Sequence, residues 1–504
     1  MAEQNEKTFQ SGVLDSINGQ TVSFRAQVQF NKQKQPTVTV FDVTREYADL
    51  LSKSDECYGA LFLDQDQYLN LFGIHVRKQS AIFGPNTDME SVTFTLTLVS
   101  DAYVLGPRPL SCDISFPEFV LKITDGHELI GICPYDLNDN YINLLSGKNI
   151  CIPTKKTIRH LSTAFGDLSF NVLPTHSFSN DSLQLSFDHL IWFRPCKSLN
   201  YSELYNVLKL FTDYYSILCD ELVTINQLTA IVCDTDNRSE QFDFLFFSNY
   251  PIQHLRLLTN EGNFDSACYL RRSIAKLSDF IDLEKSVEKW QSKEFRSKDM
   301  LLAIDAYKRI LLDEDANLMT SNSFLAAMQM VEGYVSALYG KKKARADFDE
   351  QRDRIIDQLQ NEEDKQFITD NIVSSGYVFR EALQQFLTDG LSVFKDISLD
   401  EVCDKYKELI SKLVKERNRY THSSKEIKEQ FTYNELFEVT FLFKELFRAL
   451  ILFQLGLSYE QIKYRLSFNR AFVSFMENIF VIDIEPASGE DLNPFDSEMH
   501  HFSS

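Results

Sequence analysis

The residue types needed to break an RNA phosphodiester without a metal occur together in one short run, RNRYTH at 417–422. Such cleavage takes a base for the ribose 2′-hydroxyl, an acid for the departing 5′-oxygen, and positive charge beside the crowded phosphate oxygens. His422 exchanges protons near neutral pH, and Arg417 offers a fixed fork of donors for phosphate. Asn418 stands four residues before His422, on the same face of a helix, where its amide can orient the imidazole. With nine histidines in 504 residues, about half an Arg-x4-His match is expected by chance, falling to a few hundredths once Asn must follow Arg.

The run ends an amphipathic segment, 401–424. At about 100° per residue, Val402, Tyr406, Leu409, Leu413 and Tyr420 form one core-facing stripe, which Ile410 and Val414 widen. Lys405, Glu408, Lys412, Lys415, Glu416 and Arg419 are expected on the opposite, solvated face. Arg417 falls inside the apolar stripe, about 60° from Val402, where a guanidinium is costly unless it has a partner or a role. Arg417 and His422 diverge by about 140° on an uninterrupted helix. One centre gathers both only if the helix unwinds over 421–424, or if two copies of the motif meet across a two-fold axis. The chemistry alone leaves a second reading open, in which Arg417 is a core-edge arginine paired with a carboxylate and His422 is a polar helix end.

Charge decides where a polyanion can sit. The whole chain carries a net charge of −22, which opposes general attraction to nucleic acid, so any such site must be locally basic. Residues 405–428 meet that demand, with eight Lys or Arg against three Glu, and Arg419, Lys415 and Lys425 are the candidates for RNA contact. The run KKKAR at 341–345 either steers RNA or is a solvated cluster past a helix end. The nine cysteines include no Cys-x-x-Cys pair, and neither they nor the histidines show metal-ligand spacing, so no metal or cofactor is expected. No phosphate-cradling Gly loop and no Gly-x-Ser-x-Gly elbow occurs. The N-terminal MAEQNEKTFQ lacks the basic start and apolar core of a secretory signal, and no stretch reads as membrane-spanning, so a cytoplasmic protein is expected.

Two halves position these residues. From 12 to about 195 the pattern is short β-rich runs between Gly, Pro, Asn and Asp turns, among them TVSFRAQVQF, PTVTVFDV, SVTFTLTLVS and FVLKIT. Val92, Phe94, Leu96 and Leu98 alternate with Thr and Ser, as a half-buried strand of an antiparallel sandwich would. A helix over 200–219 places Leu204, Leu208, Phe211 and Tyr215 on one stripe, and two more strand candidates, LVTINQLTAIVC and EQFDFLFFS, follow before Pro251. Pro is then absent from 252 to 485, and helical spacing dominates. Phe324, Met328, Val331, Val335 and Leu338 share one face of a helix that stops at Gly340. Ser398 with Glu401, and Thr432 with Glu435, have capping-box spacing, the second opening a long buried helix that closes at Gly456. The expectation is an α+β multidomain protein, with a β-rich sandwich-like domain over 1–255, an all-α domain over 256–482, and a flexible acidic tail over 483–504.

On RNRYTH, on FLAAMQMVEGYVSAL with its embedded Glu332, and on LFKELFRALILFQLGLSYEQI, the chain resembles the Apea-like branch of the HEPN superfamily, associated with bacterial anti-phage defence. The resemblance covers roughly 265 to 470, and the β-rich half looks like the accessory domain found with this subfamily. It implies a HEPN helical bundle acting as a metal-independent endoribonuclease of abortive infection. Arg417, Asn418 and His422 would lie in a cleft shared by two copies of the chain. It also implies Glu332 as a site residue, an assignment that competes with a salt-bridging role at the stripe edge. The partners implied are RNA, with tRNA or another structured RNA as substrate; a second copy, in a homodimer or dimer of dimers; and a phage-derived trigger on the N-terminal domain. Some HEPN domains are inactive and serve as binding or dimerisation modules, which is the competing functional reading.

Overall fold

The computed structural model describes residues 9–30, 35–53, 58–63, 67–82, 92–110, 114–123, 156–179, 182–223, 225–233, 239–246, 280, 282–315, 319–340, 353–359, 361, 364–366, 379–422 and 428–484. The chain forms two compact units, one of 1–212 with 223–253 and the other of 213–222 with 254–504.

The first unit is an antiparallel β domain with strands β1 (Phe9–Ile17), β2 (Gln20–Phe30), β3 (Pro36–Val43), β4 (Tyr58–Leu63), β5 (Gln67–Ile82), β6 (Thr93–Gly106), β7 (Ser115–Ile123), β8 (Lys156–Thr163), β9 (Gly166–Ser179), β10 (Ser182–Pro195), β11 (Ile225–Cys233) and β12 (Ser239–Phe246). Asn18 and Gly19 both take positive φ, 48° and 79°, the conformation that a two-residue hairpin loop between β1 and β2 requires. The sheet order is β3-β2-β1-β4-β5-β6-β12-β11-β7-β10-β9-β8, and β3 also pairs with β6. That last pairing, through Val38 opposite Leu98 and Val40 opposite Leu96, closes the first six strands into a ring. The expected antiparallel β-rich half is present, and its closure is the feature that alternation within single strands does not reveal. Leu96 and Leu98 are fully buried, as their alternation predicts, together with Leu14, Val28, Val38, Val40, Leu61 and Leu69. Helix α1 (Arg45–Lys53) adds Ala48 and Leu51 to this core.

Helix α2 (Tyr201–Cys219) buries Leu204, Leu208, Phe211 and Tyr215, the expected stripe. A contiguous division of the chain near 255 does not describe its end, because residues 213–222 belong to the second unit. Asp213 accepts from Lys308 at 2.5 Å, and Asp220 from Lys444 at 3.0 Å and from the Tyr307 hydroxyl at 2.8 Å. Arg448 donates to the Ile217 and Leu218 carbonyls at 2.7 Å each. The boundary near 255 itself, the KKKAR run and the tail beyond 484 lie outside the described residues.

The second unit is helical over its described residues, with α3 (Leu283–Trp290), α4 (Lys298–Asp315), α5 (Ser321–Tyr339), α6 (Phe379–Ser392), α7 (Leu399–Lys405), α8 (Lys407–His422), α9 (Tyr433–Gln454), α10 (Tyr459–Ser467) and α11 (Arg470–Phe475). Helix α5 is the hub, packed by α4, α6, α8 and α9. Thr320 caps its start in a box with Ser323, and Gly340, at φ 70°, ends it. Phe324, Met328, Val331 and Val335 are buried as their spacing predicts. Gly333 allows α4 its close approach, since a Cβ there would stand 2.6 Å from the Asp299 carbonyl oxygen. Helix α9 opens on the Thr432–Glu435 capping box and is buried over most of its length. Its Lys444 lies 2.8 Å from Glu314 and 2.9 Å from Glu445, besides Asp220. Burial works against the Lys444 ammonium, but these three carboxylates outweigh it and hold its pKa above the usual lysine value.

Candidate active site

The segment expected as one amphipathic helix is two. Helix α7 is capped by the Ser398 hydroxyl, which accepts from the Glu401 amide at 3.2 Å, and it ends at Tyr406. The Tyr406 hydroxyl donates to the Phe480 carbonyl at 2.8 Å, and α8 starts at the next residue. The break resets the register of the stripe. Ile410, which flanked the expected face, becomes fully buried beside Leu413, while Leu409 and Val414 are only half-buried.

One expected surface residue is corrected outright: Glu416 is 0% exposed. At 100° per residue it lies about 60° from Leu413, on the core side of α8. The returning chain covers it, since the Gln430 amide donates to Glu416 Oε2 at 2.8 Å. Arg419 Nε donates to Glu416 Oε1 at 3.0 Å, and a terminal guanidinium nitrogen of Arg419 donates to the same oxygen. That terminal nitrogen also donates to the Tyr420 hydroxyl at 2.7 Å. The hydrogen bond from Arg419 to Glu416 raises the arginine pKa against the opposing effect of burial. Arg419 is therefore held inside the motif, whereas Lys415 is exposed. Lys425 lies outside the described residues.

Arg417 has the partner its place in the stripe demanded. A terminal guanidinium nitrogen donates to Glu332 Oε1 on α5 at 3.2 Å, with the two side chains 27% and 38% exposed. The guanidinium also lies over the Phe379 ring at the start of α6, 5.1 Å from its centroid, a cation–π contact that steadies the arginine plane. Burial raises the Glu332 carboxyl above its ordinary value, and the nearby Arg417 only partly offsets this. Three helices thus fix one cation that still reaches solvent.

The helix stays regular through the motif. Its bounds run to His422, and the Thr421 hydroxyl donates back to the Arg417 carbonyl at 2.9 Å, so no unwinding occurs at Thr421 or His422. The half-buried Asn418 and the His422 backbone keep their four-residue relation on one face, and the divergence of Arg417 from His422 remains. The His422 side chain and residues 423–427 lie outside the described residues. Phe379 and Glu416 were not anticipated; the register after Tyr406 carries the signal for Glu416, and nothing in the sequence pattern points to Phe379. Among the described residues no group of three or more His, Cys, Asp and Glu could hold a metal ion, and no helix is long and apolar enough to cross a membrane.

A family model described as Apea-like HEPN matches residues 325–461, which include Glu332, Arg417, Asn418 and His422. A second, described as ApeA N-terminal domain 1, matches residues 13–290 and so extends through α3. No curated protein and no solved structure matches the chain. A match over more than half of the chain, joined to a HEPN match that takes in every residue of the motif, establishes that the chain belongs to the Apea-like HEPN family.

Proposed function

We propose that the helical unit is a metal-independent endoribonuclease of an abortive-infection defence system. HEPN and ApeA domains in one chain suggest an anti-phage HEPN nuclease. The observation that supports the finer reading is the Glu332–Arg417 pair, which holds a partly exposed guanidinium on the same helix that bears Asn418 and His422. Arg417 neutralises the phosphate oxygens as the 2′-oxygen attacks. One His422 removes the 2′-hydroxyl proton, and an acid, the His422 of a second copy, protonates the 5′-oxygen as its bond to phosphorus breaks. The products are a 2′,3′-cyclic phosphate and a 5′-hydroxyl. The angular divergence of Arg417 and His422 on a regular helix favours a site completed by two chains, as a homodimer or a dimer of dimers. Lys415 lies on the exposed side of the same helix and fits contact with the RNA backbone; the proposal extends to Lys425.

The same ion pair favours a second reading, since Arg417 satisfied by Glu332 is also what a purely structural arginine would show. In that reading the unit is a non-catalytic HEPN scaffold that binds RNA or a partner protein. Incubating the purified chain with total cellular RNA in EDTA and sequencing the new ends separates the two. Cleavage that persists in EDTA is expected; strict dependence on added Mg²⁺ contradicts the mechanism, and intact RNA under every condition supports the scaffold.

A further inference from the structure

In the helical unit, Asp389 in the last turn of α6 is a half-buried carboxylate with no cation beside it. Its Oδ2 accepts from the Tyr339 hydroxyl at the end of α5 at 2.7 Å, and its Oδ1 from the Gln385 side-chain amide, one turn earlier on α6, at 2.9 Å. Burial raises the Asp389 carboxyl above its ordinary value, and these two hydrogen bonds only partly offset this. Among the described residues no Lys, Arg or His forms an ion pair with Asp389. Withdrawing a carboxylate from water without an opposite charge is costly, so a cation brought to it would be favoured.

Aromatic side chains surround this charge. Tyr339, which donates to it, is 45% exposed. Burial, and then the charge of Asp389, raise the hydroxyl of Tyr459, the first residue of α10, which puts that hydroxyl within electrostatic reach of the carboxylate. Phe453, in the last turn of α9, stacks on Tyr459 with ring centroids 4.2 Å apart and is itself 37% exposed. Aromatic faces are electron-rich, so the rings and the carboxylate favour the same class of ligand, a cation. The hydrogen bonds narrow that class. An ionised carboxylate accepts about four hydrogen bonds, and Tyr339 and Gln385 take one at each oxygen, which leaves both oxygens open to a two-pronged donor. A guanidinium has that fork and a flat face that lies on aromatic rings, whereas an ammonium is a compact, strongly hydrated charge. Exposed aromatic rings are also enriched at protein interfaces, which favours an arginine carried by a protein.

We propose that Asp389, with Tyr339, Tyr459 and Phe453 around it, is a docking point for an arginine side chain presented by a partner protein. The site uses neither Glu332 nor Arg417 and does not rest on the ribonuclease reading. Saturation-transfer NMR on the full chain tests it with N-acetyl-arginine amide, N-acetyl-lysine amide and the uncharged isostere N-acetyl-citrulline amide. The arginine amide should bind saturably, roughly tenfold tighter than the other two. Asp389→Asn, which keeps the size and an acceptor, should weaken it about tenfold, and Tyr339→Ala, at an exposed position, about threefold. Unfolding midpoints equal to the wild type verify the fold of each variant. No saturable binding of the arginine amide, equally tight binding of the lysine or citrulline amide, or arginine binding left unchanged in either folded variant overturns the proposal.

Discussion

Glu332 and Arg417, 85 positions apart in the chain, meet at 3.2 Å on neighbouring helices. Gly333, the next residue on α5, faces α4 instead, where a Cβ would stand 2.6 Å from the Asp299 carbonyl oxygen. A carboxylate one turn out of place would leave Arg417 with only its Phe379 contact, so in the proposed reaction Glu332 would act by positioning the cation.

Glu332→Gln keeps an acceptor of the same shape but removes the charge that holds Arg417. Turnover on RNA should fall by roughly ten- to a hundredfold, with KM little changed, because a loosened group costs rate more than binding. Steady-state kinetics on a defined RNA measures this. A rise in KM at constant turnover would instead assign Glu332 to substrate binding.

Glu416 ties the motif to the chain that returns at Gln430. Glu416→Ala leaves the Gln430 amide and the Arg419 guanidinium without their acceptor, at a cost of about 1–3 kcal/mol for the orphaned donors. Urea unfolding should show that loss, whereas Lys415→Ala, at an exposed position, should leave the midpoint within about 0.5 kcal/mol of wild type. Equal stability of the Glu416→Ala variant would show that the pairing contributes nothing net.

What the sequence made legible divides along physical lines. Periodicity predicts elements from neighbours three, four or two residues apart, and it located α2, α5, α9 and the strands around 20–43 and 93–106. Contacts between distant segments have no such signature. The β3–β6 pairing that closes the ring, the Phe480 carbonyl that holds Tyr406 at the helix break, and the Gln430 amide over Glu416 are all of that kind. Arg417 was visible because a charge in an apolar stripe is costly without a partner, and Glu332 is that partner in the fold.

The buried charges of α9 make stability sensitive to pH. Burial, reinforced by Asp220 and opposed by Lys444 and Arg448, pushes the Glu445 carboxyl up to about 7 from its ordinary 4.5. Between those values the folded chain keeps a proton that the unfolded chain has released. The contribution of Glu445 to stability is thus complete below about 4.5 and is lost as pH rises through about 7. Glu445→Gln should therefore lose less stability than the wild type from about pH 5 to about pH 8, as urea midpoints report. Lys444→Met should cost about 3–5 kcal/mol, since it strands the carboxylates around it. A wild-type pH profile in Glu445→Gln would remove that group from the account.

A site completed by two chains loses activity when the chains separate. Light scattering and specific activity measured on the same samples across dilution should fall together, at the dissociation constant of the dimer. A strictly monomeric sample with full specific activity would place the whole site within one chain.

The most direct test of the central claim is the chemistry of the cut ends produced by the wild type, Arg417→Ala and His422→Ala in EDTA. The wild type should generate 2′,3′-cyclic phosphate and 5′-hydroxyl ends. Each variant, with its circular dichroism and unfolding midpoint unchanged, should lose at least about a hundredfold in rate. Wild-type rates in either folded variant, or ends bearing 5′-phosphate, would contradict the assignment of Arg417 and His422 to the reaction.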